Sequence, residues 1–137
     1  NVGRRGILGQ CNAAGADATT SFVIEIDAAN EYYFNFYNGI IFAQLNIATG
    51  LNDGNYHNIV ISRVGNTLKA YDNSVNTYTN NSFTNTLINS GFKLCMGTYG
   101  EYIGGLFYDG ELDEILLYKG RGLDATEALQ LYNYYNS

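Results

Sequence analysis

The sequence has no proline and no tryptophan, one histidine, one methionine and two cysteines in 137 residues. Two thiols exclude a four-thiolate zinc site and a dense disulfide framework. A single histidine, His57, gives little basis for a His-rich metal centre or a proton shuttle. Charge is scarce as well. Charged residues make up 15% of the chain, and seven Lys+Arg against thirteen Asp+Glu leave a net charge of -6. No nucleic-acid partner is expected, because phosphate backbones are held by clustered Lys and Arg. No apolar run approaches the roughly 20 residues of a membrane-spanning helix, so no membrane insertion is expected. The chain begins at Asn1, with no Met and no signal-type apolar segment, and the expectation is a module of a longer polypeptide.

What is abundant points to strands and turns. There are 18 Asn, 16 Gly, 13 Tyr and 7 Phe. Tyr, Phe, Ile, Thr and Val favour strands, while Asn and Gly make tight turns. Hydrophobic residues at 46% and aromatics at 15% supply a core and argue against disorder. The length suits one domain, residues 1–137.

Period-two alternation locates the strands. Phe22, Ile24 and Ile26 share one parity, and Val23, Glu25 and Asp27 the other. After a turn at Ala28, Ala29 and Asn30, Tyr32, Phe34 and Phe36 alternate with Tyr33, Asn35 and Tyr37. Asn38-Gly39 is a hairpin signal, since a type I′ turn needs positive φ at both central residues. Strands are predicted over 21–27, 32–37, 40–46, 57–63, 67–72, 92–97 and 112–118, with a shorter one at 6–9. Residues 73–90 read as a polar connection with room for one irregular strand. Asp124 and Glu127 have capping-box spacing and start a helix near 124–132. The predicted core is Phe22, Ile24, Phe34, Phe36, Ile59, Ile61, Leu68, Leu94, Phe107, Leu112, Ile115, Leu117 and Leu131.

Three motifs narrow the fold. Residues 56–63 (YHNIVISR) and 65–73 (GNTLKAYDN) resemble the aromatic-His-x-Val-x-Val-x-Arg strand, Gly turn and Leu-x-x-Tyr strand of the laminin G-like, concanavalin A-like family. Residues 106–118 (LFYDGELDEILLY) are similar to that family's Phe-x-Gly-x-Ile-Asp-Glu-Val-x-Ile-Tyr strand. Leu123, Glu127, Leu131 and Tyr132 resemble its short closing helix. Tyr56 replaces the usual Trp, and Asn73-Ser74 the usual Asp-Gly. The resemblance implies an all-β, antiparallel two-sheet β-sandwich, the concanavalin A-like jelly roll, with a short C-terminal helix. Its first strand or two would lie outside the chain or be replaced by residues 1–20. The fold serves lectins, adhesion domains and some glycoside hydrolases, so the site must decide among them.

Glu25, Asp27 and Glu31 resemble the Glu-x-Asp-x-(x)-Glu strand of laminarinase-type hydrolases. Three residues separate Asp27 from Glu31, however, and an intervening turn breaks the strand, so no enzyme is expected. His57, beside Tyr56 at a strand start, has no accompanying nucleophile motif and reads as structural or exposed. Sugars offer CH faces to aromatic rings and hydroxyls to amides. If Phe34 and Phe36 are core, Tyr33, Asn35 and Tyr37 form an outward polar-aromatic stripe, extended by Asn58 and Tyr71. Tyr99, Tyr102 and Tyr108 offer a second surface.

Several members of the family it resembles bind structural Ca²⁺, for which Asp113 is the best single ligand here; the alternative for Asp113 is a backbone hydrogen bond at the sheet edge. Cys11 and Cys95 either form a disulfide, in a secreted protein, or remain reduced and buried. The expected function is a non-catalytic glycan-binding or adhesion module of a larger secreted, cell-surface or virion-associated protein, with a polysaccharide or other glycan as partner. The alternative is a structural domain that binds neighbouring protein subunits and has no sugar site.

Overall fold

The alternating run from Ser21 to Tyr37 folds into the middle of a five-stranded antiparallel sheet. The computed structural model describes residues 3–10, 21–37, 42–84, 91–98 and 107–137. Among the described residues there are eight strands and one helix: β1 Arg5–Gln10, β2 Phe22–Ile26, β3 Glu31–Tyr37, β4 Phe42–Thr49, β5 Ile59–Val64, β6 Thr67–Asp72, β7 Val75–Asn80, β8 Cys95–Met96 and α1 Ala125–Tyr135. They form two antiparallel sheets, ordered β4-β3-β2-β1-β8 and β5-β6-β7. This is the all-β, two-sheet class that the strand pattern predicts. The chain divides into two compact units, Asn1–Gly50 with Asn85–Asp113, and Leu51–Thr84 with Glu114–Ser137.

In the first unit, β2 and β3 pair Phe22 with Phe36, Ile24 with Phe34 and Ile26 with Tyr32. Their turn is set by Asp27, whose Oδ1 accepts from the Ala29 N–H at 2.8 Å and the Glu31 N–H at 3.1 Å, while Asn30 takes φ 59°. One face buries Leu8, Ile26, Tyr32, Phe34 and Phe36, with the Phe34 and Phe36 rings 5.8 Å apart. Phe22 and Ile24 are half-buried on this face.

In the second unit, β5 and β6 pair from Ile59–Asp72 to Val64–Thr67. Val60, Tyr71, Leu123 and Ala128 form a core cluster with Leu131 packed against it. The helix starts as its sequence predicts: the Asp124 carboxylate accepts from the Glu127 N–H at 2.9 Å, and the Glu127 carboxylate from the Asp124 N–H at 3.0 Å.

Strand β7 is the one strand foreseen within the polar connection; Asn73 and Ser74 take φ 46° and 70° and close a tight hairpin into it. Three expectations are corrected. The run 92–97 contracts to Cys95–Met96. Residues 112–118 form no strand; Glu114 takes φ 49°, which breaks the extended backbone. The face assignment in β5 is reversed: Val60 and Ser62 are buried while Ile59 and Ile61 are half-buried, since the Ser62 hydroxyl donates to the Leu123 carbonyl at 2.6 Å. Of the remaining predicted core, Leu94, Phe107, Leu112, Ile115 and Leu117 are exposed. The Asn38-Gly39 turn and Cys11 lie outside the described residues; Cys95 carries a free thiol.

Candidate functional site

The second face of the five-stranded sheet is polar, and strand register assembles it. Two cross-strand rows run over it, Glu25–Tyr33–Asn46 and Val23–Asn35–Gln44. On β1 the positions opposite Glu25 and Val23 are Gly6 and Gly9, so that strand adds no side chain to the face. Arg4, one residue before β1, reaches in. Its Nη1 donates to Glu25 Oε1 at 2.6 Å, and Gln44 Nε2 donates to the same oxygen at 3.2 Å. The guanidinium carbon lies 5.6 Å from the centre of the Tyr33 ring, within cation–π range.

A second network adjoins the first. The Tyr33 hydroxyl donates to Glu31 Oε2, and Asn46 Nδ2 donates to Glu31 Oε1 at 3.2 Å. The bond to Glu31, then burial and the Glu31 charge, push the Tyr33 pKa up to about 12. Tyr33 therefore stays a neutral donor at physiological pH. The face is closed at its centre and open toward β4: Glu25 and Asn35 are 0% exposed, Tyr33 is half-buried, and Gln44 and Asn46 are exposed. Glu25 Oε2 and both polar atoms of the Asn35 amide have no hydrogen-bond partner.

The structure thus brings Tyr33 and Asn35 onto one face but corrects the outward stripe. Asn35 is buried, as are its cross-strand neighbour Val23 and Glu25 on the same face. The Tyr37 side chain lies outside the described residues, as do Tyr99 and Tyr102; Tyr108 is half-buried. Asn58 and Tyr71 belong to the second unit, while Tyr33 and Asn35 belong to the first. Tyr71 is a core residue, 1% exposed, and offers no ring to a ligand. Asn58 is half-buried and fastens β5, its N–H donating to Asn73 Oδ1 at 2.9 Å. Sequence reasoning missed Arg4, Gln44 and Asn46, whose roles depend on register between strands far apart in the chain.

His57 bridges two aspartates of the second unit. Its Nδ1 lies 2.9 Å from Asp72 Oδ1 and its Nε2 3.0 Å from Asp53 Oδ1. Burial alone would lower the His57 pKa; hydrogen bonds to both aspartates and their charges outweigh it and raise it above 6.5. Asn55, through its side chain and then its backbone, together with His57 holds the Asp53 carboxyl well below the usual carboxylate range. A raised histidine pKa contributes stability that is complete below the unfolded value near 6.5 and is lost as pH rises through the folded value. The urea midpoint should therefore be lower at about pH 9 than at about pH 6. Asp72→Asn should shrink that difference; equal midpoints for the unmutated protein would remove the clamp from the account.

Asp113, the expected calcium ligand, is exposed in an irregular stretch, and among the described residues no group of three His, Cys, Asp or Glu side chains converges.

A family profile described as the concanavalin A-like lectin/glucanases superfamily, of laminin G type, matches residues 3–128. The chain belongs to that superfamily. A solved relative within the fold is the 2.1 Å crystal structure of an S-layer domain-containing protein (residues 221–444) from Clostridium thermocellum ATCC 27405, at 18% identity and a TM-score of 0.52. The match covers 96% of this chain and 64% of that one, so the chain spans under two thirds of its solved neighbour. At this identity the likeness concerns the fold alone. No curated protein matches the chain. For this concanavalin A-like domain, no helix of the described residues is long and apolar enough to cross a membrane.

Proposed function

We propose that this concanavalin A-like domain is a non-catalytic glycan-binding module of a surface protein, and that its ligand lies along the open, β4 side of the polar sheet face. The observation that carries this reading is the joined pair of networks, Arg4–Glu25–Gln44 and Tyr33–Glu31–Asn46, which fixes amides and one aromatic ring side by side. Fixed amides and a ring are what sugar hydroxyls and CH faces need, and immobilising them beforehand lowers the entropy lost on binding. The S-layer context named for the solved relative supports display at a cell surface or outside the cell.

The charges favour a neutral ligand. Arg4 alone faces Glu25 and Glu31 here, within a chain of net charge -6, so a sulfated chain would meet repulsion. Glu25 is tied to Arg4 and Gln44, and Glu31 to Tyr33 and Asn46; both hold the face in place instead of acting as acid and nucleophile.

One stacked ring and a few amides support an affinity in the range of about 10 μM to 1 mM. Affinity electrophoresis in gels containing neutral polysaccharides is the test. Tyr33→Ala combined with Asn46→Ala should abolish retardation with an unchanged circular dichroism spectrum, while Tyr33→Phe, which keeps the ring, should retain most of it. Unchanged retardation in the double variant would remove the ligand from this face.

A further inference from the structure

His57 has a carboxylate on each ring nitrogen: Asp72 at the end of β6 on Nδ1, and Asp53 in the turn ahead of β5 on Nε2. An ionised carboxylate only accepts, and a neutral imidazole offers one N–H and one lone pair. Both contacts are hydrogen bonds only when both nitrogens carry protons, so the geometry is that of the imidazolium. A neutral ring would aim a lone pair at one of the two oxygens. Burial lowers the His57 pKa, and the bonds and charges of both aspartates outweigh it, so the ring stays cationic to a higher pH than an ordinary histidine. Asp53 stays ionised throughout, since Asn55, by side chain and then backbone, and His57 hold its carboxyl below the usual range. Among the described residues, these two aspartates are the titratable groups that face the ring.

The two contacts are unequal. The Asp72 side chain is 20% exposed, and among the described residues its carboxylate has no hydrogen bond besides the one from His57. The Asp53 side chain is 45% exposed and keeps other donors: the Asn55 N–H reaches Oδ1 at 2.9 Å and Asn55 Nδ2 reaches Oδ2 at 3.0 Å. Losing the histidine bond therefore costs more at Asp72 than at Asp53, where Asn55 and water remain. The backbone next to His57 is fixed to the second hairpin. The Asn58 N–H donates to Asn73 Oδ1 at 2.9 Å, and the Asn73 N–H to the Asn58 carbonyl at 3.0 Å. We propose that His57 is a pH-dependent latch: as the imidazolium it ties the Asp53–Asn55 turn to the end of β6, and on losing its Nε2 proton it keeps Asp72 and releases the turn. The latch lies within the second unit and does not depend on the glycan reading.

His57 is the single histidine of the 137-residue chain, so long-range proton–nitrogen correlation NMR reads its ring without ambiguity. Spectra between about pH 5 and pH 10 are the test. One transition is expected, above pH 6.5. Nε2 should move to the unprotonated position while Nδ1 stays protonated, and the backbone amide signals of Gly54 and Asn55 should shift with the same midpoint. Asp53→Asn, at an exposed position, should lower the midpoint and keep the Nδ1–H tautomer. Asp72→Asn should lower it too, and leave the neutral ring protonated at Nε2, toward the remaining carboxylate. In His57→Gln the Gly54 and Asn55 signals should hold still over this range. The unmutated chain alone decides the tautomer, so the test stands even if Asp72→Asn does not fold. A neutral ring protonated at Nε2 in the unmutated chain, or a midpoint at or below pH 6.5, would overturn the proposal. So would Gly54 and Asn55 signals that stay fixed while the ring titrates, or that move equally in His57→Gln.

Discussion

Arg4→Ala is expected to destabilise the fold by about 3 kcal/mol, because it leaves the Glu25 carboxylate buried without its counter-charge. Glu25 is 0% exposed, and its Oε2 already lacks a partner. With Arg4 gone, only Gln44 Nε2 would still reach the carboxylate, and a neutral amide does not replace a guanidinium at 2.6 Å. The melting temperature should fall by roughly 10 °C. Adding Glu25→Leu to Arg4→Ala should return most of the loss, since a buried pair replaced by apolar groups of similar size is often neutral or stabilising. A double-mutant cycle by urea unfolding measures both. If Arg4→Ala leaves the midpoint unchanged, the pair does not hold the face together, and the preorganisation argued for the glycan site loses its basis.

Gly122→Ala should cost about 2–3 kcal/mol through overlap in the second unit. A Cβ at Gly122 would lie 2.1 Å from the Arg63 carbonyl oxygen and 2.7 Å from Val64 Cγ2. The nearer atom belongs to the backbone of β5, which cannot swing aside as a flexible side chain does. Accommodation requires the segment entering α1 to move away, which would strain the Ser62–Leu123 hydrogen bond next to it. Gly120→Ala is the informative control: Gly120 takes φ 76°, but nothing lies within 4 Å of its would-be Cβ. Its cost should be the backbone term alone, about 1 kcal/mol. Equal urea midpoints for the two variants would remove close packing as the reason for Gly122.

Much of the fold was legible because strand, turn and cap rules act over a few residues. Phe34 and Phe36 were expected on a buried face and are there. Asp124 with Glu127 was expected to open a helix and does. The family resemblance was carried by side chains at local spacings, and the superfamily match over residues 3–128 agrees with it. The site was legible only in part. Alternation showed that Tyr33 and Asn35 share a face, but it says nothing about whether that face is open. Asn73-Ser74 was legible as the end of β6, but not as a tight hairpin, because neither residue is glycine although both adopt positive φ.

The sequence by itself determined the strand parity, the helix start and the charge balance, since each follows from neighbouring residues and backbone sterics. Contacts across the fold decided that Asn35 is buried while Gln44 is open, that Tyr71 is core, and that Arg4 neutralises Glu25. The physical reason is the same in each case. Burial and pairing are properties of contacts between segments distant in the chain: Arg4 meets Glu25 only because β1 pairs with β2, and Val60, not Ile59, faces Tyr71 only because β5 pairs with β6 in that register.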